Sequence, residues 1–263
     1  MMYEIFAQTD QGLIRKNNED AVAFDPQTGL CLLADGMGGY NAGEIASGMA
    51  ITFIRQELGS WLLEAGNRAS ARELRRTMET CAHNVNHSIF SAACSNPDYE
   101  GMGTTLVAGV FAEGRLMLGH IGDSRCYRLR GQVFQQITKD HSLLQEQIDA
   151  GLMTPEQALT APHKNLITRA LGVEDSVLIE ISEHRVELGD LYLMCSDGLS
   201  DMLLDGAMAA ILNTSGTLRQ KALQLVAAAN ESGGRDNISV LLVHAQATED
   251  ESRRGLLSRM LGK

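Results

Sequence analysis

A chain of 263 residues, 44% hydrophobic and 21% charged, can bury a full core without disulfides or a structural metal, which excludes a mainly disordered protein. The net charge of −11 comes with no long basic run, so neither nucleic acid nor an anionic membrane surface is an expected partner. No run of about 18 apolar residues predicts a membrane-spanning helix, so no membrane insertion is expected.

In chain order, the segment Met1 to Asp10 lacks the basic and apolar regions of a signal peptide. Short apolar or alternating runs at Tyr3–Thr9, Ala21–Asp25 and Leu30–Ala34 predict strands. Two long helical patterns follow. Ala46, Ala50, Phe53, Ile54, Leu58, Trp61 and Leu62 form one apolar stripe, and Leu74, Met78, Cys81, Val85 and Ile89 form another. Asn67 to Ser70 is the turn between them, and Ser70 with Glu73 has capping-box spacing. Strands are predicted again at Thr104–Ala112, Leu116–Ile121, Arg125–Arg130 and Val133–Thr138, with hairpin turns at Gly114-Arg115 and Gly131-Gln132. Ser142–Pro162 reads as a polar, short-helical flap, weakly anchored and beside the functional site. Strands return near Val177–Val186 and Leu191–Cys195. A helix through Leu218, Ala222, Leu225, Val226 and Ala229 precedes a last strand at Ile238–Ala245. Helices come in pairs between groups of strands, so the expected class is α+β with antiparallel sheets and outer helices. One domain is expected over residues 1–247, and the charged tail, 248–263, is expected to fray.

The cysteines Cys31, Cys81, Cys94, Cys126 and Cys195 are widely spaced, without a CxxC pair. They read as thiols of a reducing compartment, so a cytoplasmic location is expected and a zinc site is not. The acids are more telling. Asn18-Glu19-Asp20, Asp35-Gly36, Gly122-Asp123, Ser196-Asp197-Gly198 and Asp236-Asn237 each fall where a strand is expected to meet a turn. Carboxylates gathered at one edge of a core repel one another and lose hydration, and a divalent cation relieves both costs. Hard oxygen ligands suit Mg²⁺ or Mn²⁺. An isolated Asp-Gly is ordinarily a turn, and spacing alone leaves both readings open. The loop from Asp35 to Glu44 is rich in glycine but lacks the Lys and Ser/Thr of a P-loop, so it is not read as a nucleotide cradle.

One ordered set of motifs goes further: Thr9-Asp10-Gln11-Gly12, Arg15 and Asn18-Glu19-Asp20; then Asp35-Gly36-Met37-Gly38-Gly39 and Gly43-Glu44; then Gly101-Met102-Gly103-Thr104-Thr105. After these come Gly122-Asp123-Ser124-Arg125, Asp140-His141-Ser142, Thr168-Arg169-Ala170-Leu171-Gly172, Ser196-Asp197-Gly198 and Gly234-Arg235-Asp236-Asn237. In order and extent this resembles the bacterial form of the metal-dependent PP2C-type (PPM) protein phosphatases. The resemblance implies an αββα sandwich of two antiparallel sheets flanked by helix pairs. It implies hydrolysis of phosphoserine and phosphothreonine in proteins by a metal-activated water at a binuclear Mn²⁺ or Mg²⁺ centre, reversing a Ser/Thr kinase. By the same resemblance Asp35 would bridge two metals and the Gly36 carbonyl would bind the first. Asp197 and Asp236 would bind the second, with Glu19 contacting it through water. Asp123 would share a third, looser metal with Asp197. Arg15 would clamp the phosphate, as its planar fork of donors suits, and Asp20 and Asn237 would support the ligands from behind. Phosphorylated proteins and a cognate kinase are the implied partners, and the chain is expected to be a monomer.

One position departs from some relatives. Met37 stands where those carry a His proposed as the acid, and Met cannot donate a proton, which leaves a water at the metals as the expected donor. His83 and His87 have zinc-helix spacing but lie off the apolar stripe and read as surface residues. His141, Ser124 and Ser196 read as structural, and Arg169 stays open between supporting the site and pairing with an acid. Two rivals remain: a silent binding module, disfavoured because Asp35, Asp197 and Asp236 are all present, and a hydrolase of small phosphate esters.

Overall fold

The computed structural model describes residues 1–39, 42–66, 69–158 and 166–247. Its first sheet runs in the order β2 (Asp20–Asp25), β3 (Leu30–Met37), β5 (Leu106–Ala112), β6 (Arg115–Ile121) and β9 (Glu180–Arg185), with the two-residue β4 (Gly103–Thr104) paired on the end of β3. The second runs β1 (Met2–Asp10), β11 (Ile238–Gln246), β10 (Leu191–Cys195), β7 (Arg125–Arg130) and β8 (Val133–Gln136). Every strand pair is antiparallel.

The apolar runs of the sequence explain the layering. Successive side chains of a strand point to opposite faces. A strand buried on both faces therefore needs a continuous apolar run, as Leu30–Ala34 of β3, Leu191–Cys195 of β10 and Val240–Val243 of β11 supply. Leu30, Leu32 and Ala34 of β3 pack outward with Ile54, Leu58, Val85 and Ile89. These belong to α1 (Ala42–Ala65) and α2 (Ala71–Ser95). Cys31 and Leu33 turn the other way and meet Met194, Leu241 and Val243 of the second sheet. Ile238, Val240 and Leu242 of β11 pack on the far side with Leu199, Met208, Leu225 and Ala229. Those come from α5 (Asp197–Ser200), α6 (Asp205–Leu212) and α7 (Leu218–Glu231). Helices, sheet, sheet and helices thus enclose three layers of core. Each Leu or Val taken fully out of water stabilises the stack by roughly 1.5–3 kcal/mol. The capping box at Ser70 and Glu73 forms as expected and starts α2.

Three differences from the sequence expectation matter. Helices α5 and α6 were not read, because four and eight residues are too short to display a helical period. The strand expected at Thr104–Ala112 is broken at Thr105, which leaves that residue's hydroxyl for other work. The run expected from Val177 becomes a strand only at Glu180. In the expected flap, Ser142 caps α3 (Leu143–Asp149), and α4 (Pro155–Ala158) follows. Residues 159–162 of that flap, Asn67 and Arg68 of the inter-helix turn and the tail 248–263 lie outside the described residues. Among the described residues no helix is long and apolar enough to cross a membrane. Cys31, Cys81, Cys126 and Cys195 are buried free thiols, and Cys94 is exposed.

Candidate active site at the end of the sandwich

Asp35 stands inside β3 rather than after it, because β4 pairs with Gly36 and Met37 and extends the strand. Asp20, the first residue of β2, lies directly opposite Asp35 in the ladder. By the alternation of their strands both acids face the gap between the sheets, at its open end. The peptide around Asp35 is fixed from the break at Thr105. The Asp35 N–H donates to Thr105 Oγ1 at 3.0 Å, the Thr105 N–H donates to the Asp35 carbonyl at 2.9 Å, and Thr104 Oγ1 donates to the same carbonyl at 2.8 Å. Thr105 Oγ1 also shares a hydrogen bond of 2.7 Å with Ser124 Oγ, tying Asp35 to the turn that carries Asp123. Gly36 is needed for approach: a Cβ there would lie 2.1 Å from the Gly43 carbonyl oxygen, so only glycine lets the first turn of α1 rest on β3.

The second sheet supplies Asp197, which opens α5, and Asp236, which precedes β11. Gly198 brings them together, since a Cβ on it would sit 2.0 Å from the Asn237 carbonyl oxygen. Ser196 crosses the gap between sheets. Its Oγ donates to Asp20 Oδ2 at 2.8 Å and accepts from the Ser239 N–H at 3.0 Å. Asn237, itself buried, holds the loop that carries Arg15 and Glu19. Its Nδ2 donates to the carbonyls of Gln11 and Asn17 at 2.9 and 2.8 Å, and its Oδ1 accepts from the Glu19 N–H at 2.8 Å. Arg15 Nη2 then reaches Asp236 Oδ2 at 2.6 Å.

The electrostatics follow from crowding. Burial pushes Asp35 well above the usual carboxylate range, and the charges of Asp20, Asp197, Asp123 and Asp236 push it further. Burial does the same to Asp197, with Asp123 and Asp236 next in effect. Asp20 rises to about 6 through burial, opposed by hydroxyl donors that include Ser196. Asp123 also rises to about 6, from burial and then the charge of Asp140. Arg15 is held charged by its hydrogen bond to Asp236. Asp20 Oδ1 is buried without a hydrogen-bond partner. An oxygen-only donor set with surplus negative charge and an orphaned carboxylate oxygen fits hard divalent cations. Among the described residues no three acidic, histidine or cysteine groups are gathered tightly enough to hold one ion as they stand; Asp236 gives its Oδ2 to Arg15 instead.

All nine residues singled out as candidates, Arg15, Glu19, Asp20, Asp35, Gly36, Asp123, Asp197, Asp236 and Asn237, fall at this one end of the sandwich. Asp123, Asp140, Asp197, Asp201 and Ser142 line one small cavity there. Two supports were not read from sequence, Thr105 and the pair Arg125–Asp140, in which Arg125 Nη2 meets Asp140 Oδ2 at 2.6 Å, and Ser196, read there as structural, gains its partner Asp20 only in the fold. Only the side-chain chemistry of the Asp-His-Ser and Gly-Thr-Thr motifs hinted at them. Arg169 does not reach the acids. Its Nη1 lies 3.1 Å from His141 Nε2 and 3.3 Å from the Leu178 carbonyl oxygen. His141 Nδ1 accepts from the Gly122 N–H at 3.1 Å, the structural use expected of it.

The family model for protein phosphatase 2C matches residues 15–231. This chain belongs to that family, and it is an enzyme of the phosphoric monoester hydrolase class. It is similar to the serine/threonine phosphatase Stp of Listeria monocytogenes, 38% identical over 245 residues, which cover 92% of this chain and 96% of Stp. The crystal structure of the serine/threonine phosphatase PstP/Ppp of Mycobacterium tuberculosis superposes with a TM-score of 0.84 at 37% identity, covering 94% of this chain and all of that one. A PstP catalytic domain in complex with two manganese ions superposes with a TM-score of 0.81 at 37% identity, covering 93% and 99% of the two chains.

Proposed function

We propose that this chain hydrolyses phosphoserine and phosphothreonine in proteins, with two divalent cations, Mn²⁺ or Mg²⁺, at the end of the sandwich. The observation that carries the reading is the convergence of Asp35 from one sheet with Asp197 and Asp236 from the other, beside the guanidinium of Arg15. Asp35 would lie between the ions, the Gly36 carbonyl on one, and Asp197 and Asp236 on the other, with Glu19 reaching that ion through water. Asp123, which shares a cavity with Asp197, would hold a third ion with it. When bound, such ions acidify a water for attack on phosphorus and offset charge on the entering and leaving oxygens.

The chain's own residues prepare that chemistry. Arg15, half exposed and paired with Asp236, can exchange a carboxylate for the substrate's phosphate, since both accept the same planar fork of donors. Asn237 keeps Arg15 and Glu19 in place, Asp20 and Ser196 brace the two sheets under Asp35, and Thr104 and Thr105 fix the Asp35 backbone. Met37 leaves the leaving-group proton to water. The protein substrate implies a Ser/Thr kinase that supplies it. A reducing setting agrees with the free thiols of Cys31, Cys81, Cys126 and Cys195 in the core.

The test is steady-state kinetics on a phosphothreonine peptide and on a sugar phosphate, each with Mn²⁺ and with EDTA. The peptide should be turned over far faster, and only with metal. Equal or faster turnover of the sugar phosphate, or peptide turnover in chelator, would contradict the reading.

A further inference from the structure

Beside the acids lies a groove of about 660 Å³ whose near wall is Met37 and whose far wall is the stretch from Ile167 to Leu178. Met37 shares a face of β3 with Asp35, two residues and about 7 Å along the strand. The far wall is built rather than loose. Asn86 of α2, fully buried, donates to the carbonyls of Glu174 and Asp175 at 3.0 and 3.1 Å and accepts from the Gly172 N–H at 2.8 Å. That hold presents Val173 and Leu178 to solvent, 49% and 79% exposed. Ile167 and Val177 continue the apolar lining. Arg169 also lines the groove, but its guanidinium is engaged by His141 and the Leu178 carbonyl.

We propose that this groove is a specificity subsite that takes an aliphatic side chain of the phosphoprotein, a few positions from the phosphorylated residue. The proposal rests on the phosphatase reading above and deepens it. An extended peptide advances about 3.4 Å per residue, so a chain with its phosphate at Asp35 passes Met37 within a few positions. An aliphatic side chain there would cover Met37, Val173 and Leu178. The side chain of Asp or Glu would lose hydration there and meet the carboxylate of Glu174, which lines the same groove.

The experiment measures kcat/KM for phosphothreonine peptides carrying Leu, Ser or Asp at each flanking position in turn. Wild type, Val173→Asp and Leu178→Asp are compared, with p-nitrophenyl phosphate as a small substrate and thermal melting as a check on folding. At one flanking position Leu should exceed Ser by about tenfold, the discrimination typical of a small apolar pocket, and Asp should be worst. Both variants should lose that preference while turnover of the aryl phosphate and the melting temperature stay as in wild type. A flat wild-type profile would overturn the proposal, as would a preference that survives both variants. Sedimentation showing a wild-type dimer that either variant splits would overturn it too, by assigning the face to a second copy. Failure of wild type on peptide and aryl phosphate alike would refute the phosphatase reading itself.

Discussion

Asn237 shows what one side chain does for this site. Its three hydrogen bonds, to Gln11, Asn17 and Glu19, hold a loop whose own residues are mostly exposed. Asn237→Ala should cost roughly 2–3 kcal/mol in urea unfolding, at about 1 kcal/mol per bond. It should also raise KM for phosphopeptide, because Arg15 and Glu19 ride on that loop. Unchanged stability and KM would show that the loop is held by other means. The resemblance implied that Asn237 supports the ligands from behind, but not that it does so by holding the loop of Arg15 and Glu19. Ser196 likewise reads as structural in the sequence without its partner, Asp20, which its hydroxyl meets across 176 residues of chain. An acid beside a glycine announces itself locally, whereas a hydroxyl's partner is set by which strands come to face one another.

At the scale of elements, glycines decide how near the acids come. Gly198→Ala should push α5 away from β11, since the new Cβ would lie 2.0 Å from the Asn237 carbonyl oxygen. Phosphopeptide turnover should fall sharply as Asp197 and Asp236 separate. Gly206→Ala in α6 is the control: its Cβ meets nothing within 4 Å, and it should keep full turnover. Equal turnover in both variants would mean that the spacing of α5 and β11 is irrelevant to the site. The ion pair of Arg130 with Asp190 makes a second case, joining the end of β7 to the turn before β10. Burial would raise Asp190, but the Arg130 guanidinium and the Glu187 N–H outweigh it, so Asp190 lies below its ordinary value. A depressed carboxylate contributes stability above the unfolded value, near 4, and loses that contribution as pH falls through the folded value. Arg130→Met should therefore cost roughly 3 kcal/mol at neutral pH, leaving a buried charge unpaired. The deficit should shrink as pH falls below about 4, where Asp190 can take a proton. A gap in unfolding free energy that stays constant with pH would contradict this account.

Across the whole molecule, the antiparallel α+β class with outer helices was legible from helix pairs set between groups of strands, the αββα order was implied by the family resemblance, and the packing of each buried strand between two cores explains it. Leu32 faces the helices and Leu33 faces the other sheet, and both kinds of position are apolar. Helices α5 and α6 escaped notice because their lengths carry no period, yet they cover the outer face of β10 and β11 and give Asp197 its place. The sandwich thus brings acids from two sheets to one end, where their mutual repulsion is the force a pair of cations would answer. Calorimetric titration of Mn²⁺ into wild type and Asp35→Asn puts that claim to the test. Wild type should bind two ions tightly, and Asp35→Asn should weaken both together, because its carboxylate is the one assigned to both. Undiminished binding of two ions by Asp35→Asn would contradict the account.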